Sequence, residues 1–132
     1  MASRHLVLAL GVALVTLAGT VSAHHSFAAE FDAKQKVSLT GVVTKVEWTN
    51  PHVWFWVNVK DETTGEVVNW GAEMGSPNAL ARTGWSHNTM QVGMLVTLTG
   101  SRAKDGSHRV NTNNVLVGGK KLGAASSQAT TP

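Results

Sequence analysis

From Val53 to Lys60 the chain reads VWFWVNVK, a strict two-residue alternation with Val53, Phe55, Val57 and Val59 on one face and Trp54, Trp56, Asn58 and Lys60 on the other. Only an extended strand sorts side chains this way, because a helix would spread the apolar residues around its circumference. The branched face is the better interior for a small barrel, which leaves two tryptophans on the outside of the same strand. Val37 to Trp48 (VSLTGVVTKVEW) also alternates, but its phase changes: Val37 and Leu39 share one face, while Val42, Val46 and Trp48 share the other. Gly41 sits at the flip, and a glycine there predicts a bulge or sharp bend.

The remaining segments extend the pattern. Glu66 to Met74 has Val68, Trp70, Ala72 and Met74 in phase, and Leu95 to Gly100 and His108 to Val117 read as two further strands. Thr49-Asn50-Pro51-His52 is a turn, since the residue before proline is biased away from helix. Asp61 to Gly65 closes a hairpin. Ser76 as N-cap, Pro77 at the first helical position and Gly84 as a left-handed stop predict a short helix between them. Gly118-Gly119 turns the chain into a short Lys120–Leu122 extension. The order is three strands, a helix, then two strands. That order predicts an all-β fold, a small five- to six-stranded OB-like barrel with one short helix between the third and fourth strands. An open sandwich or another small barrel is the competing arrangement.

The first 23 of 132 residues read as an export signal: Arg4, an apolar run from Leu6 to Leu17, and Val21-Ser22-Ala23 before a cut after Ala23. The run is about 12 residues against the ~20 that span a bilayer, so no membrane span is expected. Cleavage leaves 109 residues, which predicts an N-terminal arm over 24–36, one domain over 37–122, and a tail over 123–132 too poor in apolar surface to order itself. The mature chain carries ten basic and eight acidic residues, a net +2 that is too small and dispersed for a nucleic-acid footprint.

Cysteine is absent, so disulfides, thiolate nucleophiles and thiolate metal sites are excluded and any metal must be held by His, Met, carboxylate or backbone atoms. The predicted cut would make His24 the first residue, followed by His25. A free α-amino group and the ring Nδ1 of the same histidine close a chelate ring, and that amine deprotonates readily because its reference pKa is near ~7.7. Nitrogen ligation of this kind suits Cu(II), with zinc a poorer match, and His52 on the proline-stiffened turn is the best third ligand. Met74 offers a soft thioether but reads better as core filler, and His87 and His108 read as solvated.

Trp54 and Trp56, with Asn50 and His52 beside them, form the second candidate site. Uncovered, they would make a ligand platform or an interface for a protein partner or second copy. The competing reading is that the arm folds back and covers them with Phe27 and Phe31. No nucleophile elbow, phosphate-cradling glycine loop, metalloprotease helix or carboxylate pair points to catalysis.

The segments HHSFAAEFD, VTKVEWTNPHVWF, EMGSPNAL and TGSRAKDGSHR resemble those of a family of small exported bacterial proteins carrying a domain of unknown function, over roughly residues 24–122. The resemblance implies export to the periplasm and a small β-barrel, and it carries no activity. Two functional readings therefore stand: a periplasmic protein capturing or carrying copper through His24, His25 and His52, or a metal-free ligand- or protein-binding module using Asn50, His52, Trp54 and Trp56.

Overall fold

The computed structural model describes residues 27–130, so the predicted leader, its cut after Ala23, and His24 and His25 lie outside the described residues. Six strands form one sheet: β1 (Phe31–Glu47), β2 (Trp54–Lys60), β3 (Val67–Glu73), β4 (Leu95–Ala103), β5 (Arg109–Val117) and β6 (Lys120–Gly123). Helix α1 (Pro77–Ala81) lies between β3 and β4, a helical turn covers residues 27–30, and a 3₁₀ turn covers Ser127–Thr130. No helix among the described residues is long and apolar enough to cross a membrane.

Strand order is β3-β2-β1-β4-β5-β6, antiparallel throughout, and a parallel pairing of β3 with β5 closes a ring of hydrogen bonds. The closing contacts are Gly71 with Arg109, Ala72 with Val110 and Glu73 with Asn111. β1 is long enough to pair with β4 over its first part and β2 over its second, meeting both at Val42. At this crossing Gly41 is required by space, because a Cβ there would sit 2.3 Å from the Asn58 carbonyl oxygen.

The phase change in β1 falls three residues later than the sequence indicates. The ladder with β2 slips between Val43 and Lys45, leaving Thr44 as the extra residue of a bulge. Val37, Leu39 and Val43 therefore face inward before the bulge, and Val46 and Trp48 after it, while Val42 is 42% exposed. The Val42-Val43 pair disguised the site of the slip, because either valine completes an alternating run.

β1 also begins at Phe31, within the stretch read from sequence as an arm. Phe31 is buried and pairs with Ala103, the register shifts before Lys36, and Phe27 stacks on Phe31 at 5.9 Å. The residues between Phe31 and Lys36, Asp-Ala-Lys-Gln, carry no alternation of large apolar side chains. At the other end, Ala124 is fully buried, its carbonyl accepts from the Gly75 amide at 2.8 Å, and Ser126 is buried against Asn111. Backbone and hydroxyl hydrogen bonds thus seat a segment whose apolar content alone predicted no order.

The core matches the alternation elsewhere. Val53, Phe55 and Val57 of β2, Trp70, Ala72 and Met74 around β3, Leu80 of α1, and Val96, Leu98, Val110 and Val115 are buried together. Ser76 caps α1 by accepting from the Ala79 amide, with Pro77 in the first turn. Gly118 (φ 56°) and Gly119 (φ 77°) form the two-residue turn between β5 and β6, where both positions need left-handed backbone. Trp85 is buried and donates its indole N–H to the Gly123 carbonyl at 2.9 Å, which pins the α1–β4 connection to β6.

Candidate functional site

The alternation that buries Phe55 and Val57 sets Trp54 and Trp56 on the outside of the ring, where both are half-buried. Their rings are near-parallel, 26° apart, with centroids separated by 6.1 Å. Trp56 pairs with Lys45 on one side and Gly71 on the other, and Trp54 pairs with Glu47 and Glu73. Residues opposite one another in an antiparallel pair share a face, so these six positions form two rungs on one surface.

Gly71 shapes the surface. A Cβ on it would lie 3.2 Å from Trp56 Nε1 and 3.7 Å from a ring carbon of Trp54, so both indoles lean over β3 and rest where a side chain is missing. Above them is an open cleft of about 400 Å³ lined by Glu47, Trp54, Trp56, Asn69, Gly71, His108 and Arg109. Lys45 Nζ sits 4.7 Å from the Trp56 ring centroid and 2.5 Å from Glu47 Oε1. Arg109, placed by the β3–β5 pairing, has Asp105 at 3.3 Å and Glu30 at 3.7 Å. Among the described residues no phenylalanine ring stacks on Trp54 or Trp56, and Phe27 packs on Phe31.

One end of this surface is polar and buried. Glu73, next to Trp54, is 8% exposed; its Oε1 accepts from Asn111 Nδ2 at 3.2 Å and lies 3.5 Å from His52 Nδ1. Burial pushes the Glu73 carboxyl above the usual glutamate range. His52 opposes the rise, Glu30 adds to it, and Asn111 and Arg109 oppose it.

The sequence-derived residues are distributed unevenly. His52 is half-exposed beside Glu73, Asn50 is exposed in the turn, joined to Pro51 by a cis peptide bond, and neither lines the cleft. Met74 is core, and His87 is exposed in its turn. Among the described residues no group of three or more His, Asp or Glu side chains is arranged to hold a metal ion. His108, read from sequence as solvated, is exposed but packs on Trp70 at 4.9 Å and forms one wall of the cleft. Glu47, Asn69, Gly71, Glu73 and Arg109 were not singled out by sequence. For Asn69, Gly71 and Glu73 the signal was present, since they take the opposite parity to Val68, Trp70, Ala72 and Met74.

Ring, bulge and cleft together define a small β-rich protein with an aromatic outer surface on β2 and β3. The model of a family of unknown function (DUF6152) matches residues 12–112, and the chain belongs to that family. Comparison with curated proteins and with solved structures returned no match.

Proposed function

We propose that this is an exported, periplasmic OB-like barrel that acts as a binding module, its ligand lying across Trp54 and Trp56 on the outer face of β2 and β3. The connectivity supports the OB-like reading: β1 is shared by β2 and β4, the helix falls between β3 and β4, and β5 closes on β3. In such barrels the face of the second and third strands, with the loops after the first and fourth, takes ligands. The single observation that carries the reading is the pair of indoles draped over Gly71 beneath an open cleft. Apolar rings of this size stay uncovered only at some cost in water contact, which a ligand or partner removes. The test is a tryptophan-emission titration with size-fractionated periplasmic extract. The response is expected in the wild type and lost in Trp54→Ala; an unchanged response in the variant counts against this face.

A second reading, copper capture through His24, His25 and His52, keeps a specific support. His52 is fixed beside the buried Glu73 carboxyl, and Glu30 acts on the same carboxyl. His24 precedes Glu30 by six residues, a length of chain that spans at most about 20 Å when extended. The terminal amine and imidazoles would supply Cu(II) with nitrogen ligands; zinc fits the same set less well. Calorimetry with protein starting at His24, and with one extra alanine before it, separates the cases: affinity falls sharply in the extended form if the terminus chelates, and is equal in both if it does not.

A further inference from the structure

The binding-face reading can be taken to a chemical class, and the inference rests on that reading. We propose that the cleft binds a neutral saccharide, with Trp54 and Trp56 as the stacking surface and Glu47, Asn69 and His108 as partners for sugar hydroxyls.

Three observations select this class. The first is shape. A pyranose ring carries C–H bonds on its faces and hydroxyls on its rim, so it needs a flat apolar surface bordered by polar groups. The two indoles provide the surface, and a carboxylate, a carboxamide and an imidazole border it. The cleft volume of about 400 Å³ lies at the lower end of the ~300–1,000 Å³ typical of small-molecule sites, and the cleft is open rather than enclosed.

The second is hydrogen-bonding capacity. Asn69 Nδ2 already donates to Asn58 Oδ1 at 2.8 Å and to Thr44 Oγ1 at 3.1 Å. Those bonds fix the orientation of the carboxamide and leave its Oδ1 as an acceptor. Glu47 offers acceptor oxygens, and Lys45 holds it in place.

The third is charge. Among the described residues, Lys45 and Arg109 beside the indoles are already matched: Lys45 by Glu47 at 2.5 Å, and Arg109 by Asp105 at 3.3 Å and Glu30 at 3.7 Å. Nucleobases also stack on indoles, but a phosphate backbone draws its affinity from cations free to replace counterions. A neutral polyhydroxylated chain needs none, so the same surface favours sugar over nucleic acid.

The experiment is a glycan-array screen of the purified protein, followed by calorimetry with the best neutral tetrasaccharide and, as comparator, an oligothymidylate. A neutral glycan is expected to bind. Trp56→Ala should weaken it about tenfold by removing one stacking surface, Trp56→Phe should retain most of the affinity, and Glu47→Gln should cost a smaller factor, about threefold. Far-UV circular dichroism shows whether each variant keeps its strands. If the oligothymidylate binds through Trp54 and Trp56 and no glycan does, the saccharide assignment falls and the binding face stands. If glycan binding survives Trp54→Ala and Trp56→Ala, or nothing binds and the indole emission never responds, the face itself is overturned.

Discussion

Replacing Gly71 tests the geometry of the cleft without touching the indoles themselves. Gly71 does not occupy left-handed backbone, so its place in β3 is a matter of space, and a side chain there is conformationally allowed. An alanine Cβ would meet Trp56 Nε1 at 3.2 Å, Trp56 Cδ1 at 3.6 Å and Trp54 at 3.7 Å, tight at one atom and ordinary at the others. A glycine in a strand gives up about 0.5–1 kcal/mol of unfolded-state entropy relative to alanine, and that gain offsets the crowding. Gly71→Ala should therefore match the wild type to within about 1 kcal/mol. Gly71→Val adds two methyl groups where the indoles already lie, and displacing them should cost about 1–3 kcal/mol. Urea denaturation followed by far-UV circular dichroism measures both variants, and tryptophan emission reports where the rings have gone. Emission should shift to longer wavelength in Gly71→Val, as the indoles lift into water, and ligand affinity should fall with it. A valine variant with wild-type stability and emission would mean that the indoles do not rest on β3.

Three other outcomes follow from the packing and charges. The folded chain holds a proton on Glu73 more tightly than the unfolded chain does, so Glu73 contributes stability below the ordinary glutamate value of 4.5 and loses it as pH rises through the raised value. Denaturation midpoints measured from roughly pH 4 to 8 should decline less steeply in Glu73→Gln than in the wild type; parallel curves would contradict the burial argument. Gly41→Ala drives a Cβ to 2.3 Å from the Asn58 carbonyl and should cost about 2–3 kcal/mol, whereas Gly123→Ala, with nothing within 4 Å, should be neutral to within about 0.5 kcal/mol in the same urea assay. Trp85→Phe removes the hydrogen bond to the Gly123 carbonyl, which still accepts from Thr83 Oγ1 at 3.0 Å, so thermal or urea unfolding should show a loss of only about 1–2 kcal/mol.

The legible part of the fold was whatever alternation could carry. β2 and β3 alternate without interruption, so their inner and outer faces, and with them the two outward indoles, could be read directly from residue order. The bulge in β1 could not be placed, because Val42 and Val43 are adjacent and equally branched, and only pairing with β2 and β4 decides which turns inward. The first residues of β1 and the segment after β6 are held by register and by polar contacts such as Asn111 with Ser126 and Ser127, which leave no apolar period to detect.

The site divides along the same line. Trp54 and Trp56 follow from strand parity, but Arg109 reaches them through the parallel pairing of β5 with β3, a contact between segments nearly forty positions apart. His108 was taken for a solvated turn residue because nothing local shows that the turn packs on Trp70. Glu73 takes outward parity in β3 and is nevertheless buried, with Asn111 and His52 against its carboxylate.

The most direct measurement is nuclear magnetic resonance of the five indole N–H signals, assigned by single substitution, while the bound glycan is titrated in. The account predicts that the Trp54 and Trp56 signals move together and saturate, while that of the buried Trp85 stays in place. Saturable binding that shifts other signals and leaves Trp54 and Trp56 unmoved would contradict it.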